Sequence, residues 1–334
     1  MDKITVYKLK FDTPLHIAAH GVGYEKTETM LHSDTLFSAL MSLWHHFYDD
    51  DDIQKMCESP PFLISSGFPF KGSTCFFPRP MERIGREGED DPRTGKKLKR
   101  VKFISQSLFE SLLKGDSIDF NEAHTFQDGM FWTDTTASES DRVFAVREVP
   151  RIAVDRESYA SNIFYFSEVL FEADAGLFFL ARFREKAIQS KFEAILKLLG
   201  DEGIGGDKRL GKGLFSVGVG ENFSLSLPGN ADGFLTLSLY YPTQEEFAGI
   251  SGDASYNLIS RKGWIHSPGA MSLRRQEVRM FSEGSVFRSL GQPVYGKTPC
   301  VLNQNTDMGL EHNVYRYGFA FDLPIVRKGG HDGT

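Results

Sequence analysis

Gly203-Ile204-Gly205-Gly206-Asp207-Lys208-Arg209-Leu210-Gly211-Lys212-Gly213 is the stretch that decides how this chain is read. Upstream of it, Ile188, Phe192, Ile195 and Leu199 recur at helical spacing, and Gly200 stands where a helix would stop. Downstream, Leu214 to Val219 reads as a strand. A helix therefore feeds a glycine-rich loop that feeds a strand. Five glycines let the backbone take positive φ and come close to a partner, while Lys208, Arg209 and Lys212 charge the same surface. Close amides with nearby cations suit a phosphate backbone. Two sharper motifs fail here. Gly206 to Lys212 fits GxxxxGK, but Gly213 replaces the Ser or Thr that holds magnesium, and the helix precedes the loop instead of following it. Gly205-Gly206-Asp207 resembles the acidic turn of a polymerase palm, yet one Asp among three cations is a poor metal site.

Working outward, Ile4 to Phe11 alternates as a strand. Ser33 or Asp34 then caps a helix carrying Leu36, Phe37, Leu40, Leu43, Trp44 and Phe47, which the four acids Asp49 to Asp52 end as a solvated turn. Phe62 to Ser65 and Ser73 to Phe77 read as a strand pair. Residues 82–148 differ in character, with a sharply basic run over 93–102, and look like an insertion or a long hairpin projecting from the sheet. Strands resume at Ile163 to Phe166 and Gly176 to Leu180. Helices on one face of an antiparallel sheet predict a ferredoxin-like α+β domain. Ser224 to Asp232 reads as a linker, and a second unit opens with the strand Phe234 to Tyr240. The domain reading is 1–223, with an insertion at about 82–148 and the loop at 203–213, then 233–334.

Composition narrows the functions. A chain of 334 residues exceeds one ordinary core, so two domains are expected. With 38 Lys+Arg against 45 Asp+Glu, the net charge of −7 excludes non-specific coating of nucleic acid and asks any such ligand to meet a local patch. Cys57, Cys75 and Cys300 form no CxxC pair or disulfide framework, which fits a reducing cytosol. No signal peptide or membrane span is expected, hence a cytoplasmic protein with no membrane partner. Glycine (32) and phenylalanine (29) are both in excess, and the phenylalanines outnumber what a binding site could use, so most are assigned to the core.

Candidate chemistry points to binding. Lys97 and Arg100 belong to the basic run, which is either a solvated charged loop or an arm tracking a phosphate backbone. Arg151 and Arg156 bracket Asp155, as a structural salt bridge or as a guanidinium aimed at a phosphate. His16, His20 and His32 could serve a metal-independent ribonuclease as acid and base, although no signature links them. There is no HExxH, GxSxG or spaced carboxylate set, so neither a metal nor a cofactor is expected.

Several segments resemble one family: His32-Ser33-Asp34-Thr35-Leu36-Phe37-Ser38-Ala39-Leu40, Phe68-Pro69-Phe70 to Phe77-Pro78-Arg79-Pro80, and Arg151-Ile152 to Asp155-Arg156. The Gly203–Phe215 loop, Ser282-Glu283-Gly284-Ser285-Val286-Phe287 and Val314-Tyr315-Arg316-Tyr317-Gly318 complete the set. Together they are similar to the RAMP superfamily of CRISPR proteins, and within it to the subunits that cap the guide-RNA 5′ end in type III-A Csm effector complexes. The resemblance implies two ferredoxin-like (RRM-like) domains with a thumb-like hairpin. It implies a non-enzymatic, RNA-binding role in antiviral defence, holding the 5′ tag of the CRISPR RNA. It also implies bridging of the large polymerase-like subunit to the backbone RAMP subunit in the prokaryotic cytoplasm. Gly203, Gly205, Gly206, Lys208, Arg209, Gly211, Lys212 and Gly213 would embrace the tag, Arg151, Arg156, Lys97 and Arg100 would assist, and His16 or His20 would touch its sugars or base edges. The alternative from the same superfamily is a metal-independent endoribonuclease that processes the CRISPR RNA precursor.

Overall fold

A computed structural model describes residues 3–18, 23–48, 50–82, 84, 92–138, 140–157, 160–220, 223–250, 252, 254–265 and 273–327. Strand β1 (Ile4–Phe11) turns Tyr7 and Leu9 to one face and Lys8 and Lys10 to the other. Helix α1 (Ser33–Phe47) buries Leu36, Phe37, Leu40, Met41, Leu43 and Trp44 on one stripe. Its N-cap is His32, without a side-chain capping bond, so neither Ser33 nor Asp34 caps the helix as the sequence suggests. Both are drawn instead into a buried polar network described below. The acidic run read as a turn opens a second helix, α2 (Asp50–Glu58); Asp49 lies outside the described residues.

The expected strand pair is re-registered. β2 (Phe62–Ile64) leaves the hairpin, which is formed by β3 (Phe68–Lys71) and β4 (Thr74–Pro78) around Gly72 at φ 57°. Residues 92–132 are no projecting arm. They form α3 (Pro92–Leu98), β5 (Phe103–Ser105), α4 (Gln106–Leu113), β6 (Thr125–Phe126) and β7 (Phe131–Trp132), which extend the main sheet. Their apolar side chains explain why: Phe103, Ile104, Phe109, Phe131 and Trp132 are all buried, with Phe77 and Phe109 stacked at 4.4 Å. The long hairpin follows, as β8 (Phe144–Val154) and β9 (Ser161–Phe171), paired over eleven residues each.

β10 (Ala175–Phe183) is buried along its whole length, as expected of a central strand covered on both faces. Helix α5 (Ile188–Glu202) follows and then β11 (Phe215–Gly220). Gly200 does not stop α5. It lies inside the helix, where a Cβ would sit 2.3 Å from the Phe215 carbonyl oxygen, and the helix ends at Gly203 with φ 82°. Among the described residues the main sheet has nine strands in the order β11-β1-β10-β3-β4-β5-β7-β6, with β2 also on β10. It is mixed, because β5 and β7 run parallel. Tyr7 packs on Phe192 of α5, which places α5 on the Tyr7 and Leu9 side of β1.

The remaining elements are β12 (Gly233–Thr236), α6 (Gln244–Ile250), β13 (Leu258–Trp264), β14 (Arg274–Phe281), β15 (Val286–Arg288), β16 (Cys300–Leu302), β17 (Val314–Tyr315) and β18 (Asp322–Ile325). β15-β12-β18 form a three-stranded sheet, and β13–β14 and β16–β17 are separate pairs. Phe234, Tyr240, Phe281, Phe287 and Tyr295 build a second core, while Leu235, Leu237, Phe319 and Leu323 join the first. The three cysteines are free thiols. Among the described residues no helix is long and apolar enough to cross a membrane.

Candidate nucleic-acid interface

The glycine-rich loop is folded onto its own chain. Gly203 N–H donates to the Leu199 carbonyl (2.8 Å), Ile204 N–H to Gly213 (3.0 Å), Gly206 N–H to His16 (2.9 Å) and Gly213 N–H to Pro14 (2.9 Å). Most of the glycines serve this packing. A Cβ at Gly205 would lie 2.3 Å from the His16 carbonyl oxygen, at Gly206 2.8 Å from the His16 ring, and at Gly213 2.0 Å from the Ile204 carbonyl oxygen. Gly211 alone of the five has open space at that position. The sequence argument for close approach therefore holds toward the protein's own chain at four of the five positions: toward backbone at Gly203, Gly205 and Gly213, and toward the His16 ring at Gly206.

What the loop leaves outward is its crown. Asp207 sits at φ 60° and starts a tight turn over Lys208–Leu210. Among the described residues, the amides of Asp207, Lys208 and Arg209 have no intramolecular acceptor, and Arg209 has no ionic partner. Lys208 is 4.0 Å from Glu202. Successive free amides beside a left-handed residue form a concave nest suited to an anion.

The β8–β9 hairpin braces the loop. Arg151 pairs with Asp207 at 2.5 Å and lies over the Phe166 ring at 4.0 Å. Its partner is thus a loop residue and not Asp155. Lys212 binds Glu168 at 2.5 Å, and Arg147 takes the other oxygen at 2.5 Å. Glu168 is fully buried; burial pushes its carboxyl up, but the hydrogen bonds from Lys212 and Arg147 outweigh this and hold it below the usual range. Lys212 is a strut here, so the exposed positive charge of the loop rests on Lys208 and Arg209.

His16 lies under the loop. Its Nδ1–H donates to the Ser167 carbonyl (2.6 Å), its ring packs 4.4 Å from Phe166, and Nε2 is buried without a partner. His20 lies outside the described residues. Arg156 is exposed at the turn between β8 and β9, whose distal face shows Ile152, Val154, Ile163 and Tyr165 to solvent. Lys97 and Arg100 are not brought to the loop: Lys97 pairs with Glu122, and Arg100 closes the turn after α3. Among the described residues no cluster of three or more His, Cys, Asp or Glu could hold a metal ion.

Three of the resemblance segments meet elsewhere, in a buried network that sequence separation hides. Asp34 accepts from Arg261 Nε (3.0 Å) and Nη2 (2.9 Å) and from Arg316. Burial pushes the Asp34 carboxyl up, but Arg261 and Arg316 outweigh it and hold it far below the usual carboxylate range. His32 Nδ1 pairs with Glu283 at 2.8 Å, Ser66 donates to the same carboxylate, and Ser33 Oγ accepts from the Leu239 N–H (3.0 Å). His32 is thus tied up in an internal hydrogen bond. Arg275 donates to Ser38 Oγ (3.0 Å), and burial among Arg261 and Arg316 lowers it to about 10.

This architecture, with its glycine loop between α5 and β11, defines the class. The chain belongs to the RAMP superfamily, whose family model matches residues 8–216. Residues 229–325 match the model of the CRISPR Csm4 C-terminal domain. The chain is 25% identical over 305 residues to the CRISPR system Cms protein Csm4 of Thermococcus onnurineus, covering 88% of this chain and 91% of that protein. It is 25% identical over 324 residues to the protein of the same name in Mycobacterium tuberculosis, covering 96% and 97%. A chain from the crystal structure of a Csm3–Csm4 subcomplex in the type III-A CRISPR-Cas interference complex shares the fold, with TM-score 0.66 at 17% identity, covering 97% of this chain and 100% of that one. A chain from a Csm1–Csm4 cassette in complex with cA4 does so with TM-score 0.63 at 21% identity, covering 98% and 100%.

Proposed function

We propose that this chain is a non-catalytic RNA-binding subunit of a type III-A CRISPR (Csm) interference complex, holding the 5′ tag of the CRISPR RNA. The observation that carries the reading is the crown of the glycine loop, where the free amides of Asp207, Lys208 and Arg209 stand beside two exposed cations on a rigid base. A phosphate there would accept from the amides and pair with Lys208 and Arg209, while Arg151 and Lys212 hold the crown in place. The apolar distal face of the β8–β9 hairpin, in this reading the thumb, supplies surface against which splayed bases pack. The strand order β11-β1-β10-β3 with two intervening helices supports a ferredoxin-like first domain, followed by a second domain from residue 233.

Likeness to chains solved with Csm1 and with Csm3 supports bridging of the large subunit to a backbone subunit in the prokaryotic cytoplasm. The burial of His16 and the pairing of His32 leave neither poised as an acid or base, which favours binding over processing of the RNA precursor. The test is the Lys208→Ala/Arg209→Ala variant, assembled with its complex and titrated with salt against tag RNA. Losing two phosphate contacts flattens the slope of log K against log salt by about 1.4. An unchanged slope and affinity would overturn the reading.

A further inference from the structure

The β13–β14 hairpin has two unlike faces. Ile259, Arg261, Gly263, Arg275, Val278 and Met280 share the inner one, since Arg261 stands opposite Val278 and Gly263 opposite Arg275. Through Arg261 on Asp34 and Arg275 on Ser38, that face is bolted to the start of α1. The outer face carries Lys262, Trp264, Arg274 and Arg279, with Glu277 as its one acidic side chain. Trp264 is 42% exposed, so one side of its ring is open to a flat ligand. The Arg274 guanidinium covers one side of its ring at 4.3 Å. Lys262 and Arg279 are exposed and unpaired among the described residues. An aromatic ring backed by a guanidinium and flanked by free cations, in a chain of net charge −7, is complementary to a polyanion with flat bases.

We infer that this outer face is a second contact for single-stranded RNA, separate from the glycine loop. Trp264 stacks on a base with Arg274 behind it, and Lys262 and Arg279 pair with the neighbouring phosphates. The buried network makes the hairpin rigid, so little order is lost on binding. The inference rests on the RNA-binding reading above and adds to it a site on the other half of the chain.

The experiment uses the full-length protein and a fluorescein-labelled single-stranded RNA of about ten nucleotides, followed by anisotropy at several salt concentrations. Trp264→Ala weakens binding at least about fivefold. Lys262→Ala/Arg279→Ala flattens the salt slope by about 1.4. Trp44 and Trp132 are buried, so RNA-dependent quenching of tryptophan emission reports on Trp264 and disappears in Trp264→Phe. These substitutions leave the inner face intact, and an unchanged melting temperature verifies the fold. Lys208→Ala/Arg209→Ala is measured in parallel. If the loop variant loses affinity while the three hairpin variants bind and quench as the wild type does, the inference falls and the loop reading stands. If only the hairpin variants lose affinity, the inference stands and the loop reading falls. If no variant differs from wild type, both fall.

Discussion

Replacing Asp34 by Asn tests whether the buried network holds the two parts of the chain together. Asp34 is 2% exposed and carries both Arg261 and Arg316. Asn keeps the shape but removes the charge, leaving two buried guanidiniums without a counter-ion. Breaking a buried pair in this way costs about 3–5 kcal/mol. At about 2.1 cal/mol/K per residue, unfolding of 334 residues has an entropy of about 0.7 kcal/mol/K. The expected drop in Tm is therefore about 4–7 °C, read by circular dichroism at neutral pH. The pH dependence has a definite sign. Because Asp34 is held far below its unfolded value of about 3.9, its contribution is complete above that value and is lost as the pH falls toward the folded pKa. The variant should therefore lose less stability than wild type on acidification below about pH 4. Adding Arg261→Met to Asp34→Asn should recover part of the loss by removing an orphaned charge. A variant melting within about 1 °C of wild type would refute the reasoning.

The loop geometry predicts opposite fates for two glycines. Gly213→Ala meets the Ile204 backbone at 2.0 Å and should destabilise by about 3 kcal/mol or more, whereas Gly211→Ala has the same φ of 72° but open space and should cost about 1–2 kcal/mol, both read by chemical denaturation. Phe109→Ala removes one ring of the Phe77 stack and should cost about 3–5 kcal/mol in the same assay, which a loss under about 1 kcal/mol would contradict. Glu168→Gln should cost about 1–3 kcal/mol at neutral pH. Because that carboxyl is held below its usual range, the difference from wild type should shrink as the pH falls through the folded value, and a pH-independent difference would count against the ion-pair assignment.

The elements that periodicity could reach were legible in the sequence. β1, α1, α5 and β11 fall where alternation and helical spacing put them, because each buries one face against the same sheet. Most phenylalanines are core, as their number required. Of the two readings of 82–148, an insertion or a projecting hairpin, the hairpin does not hold for residues 103–132, because the polarity of 82–102 masks the apolar residues that follow and a sheet extension has no local signature to set it apart. The loop was located correctly, but the partners of its charges were not. Nothing in the sequence ties Lys212 to Glu168, or Arg151 to Asp207, across separations of 44 and 56 residues. The resemblance segments lie where the chain closes on itself: His32 and Asp34 meet Glu283 and Arg316 across some 250 residues or more.

The cations divide by environment, and the division bears on what net charge can say. Arg182 pairs with Asp322 at 2.9 Å, and Arg261 and Arg316 with Asp34, each tying the chain before residue 220 to the chain after it. These charges are neutralised inside and offer nothing to a ligand. Lys212, Arg147 and Arg151 are held by Glu168 and Asp207 and shape the loop. Among the described residues, Arg209 on the loop crown and Lys262 and Arg279 on the hairpin are cations that face outward without a carboxylate partner. The net charge of −7 over the whole chain disfavours a long polyanion except where outward cations gather. On the proposed RNA-binding reading, the acidic surface and the internal ion pairs together confine the ligand, because freeing the buried arginines would add positive charge away from the two sites. Neutralising surface acids far from both sites should raise non-specific affinity for RNA while leaving the quenching of Trp264 unchanged. A parallel rise in both would show that the acidic surface plays no part in confining the ligand.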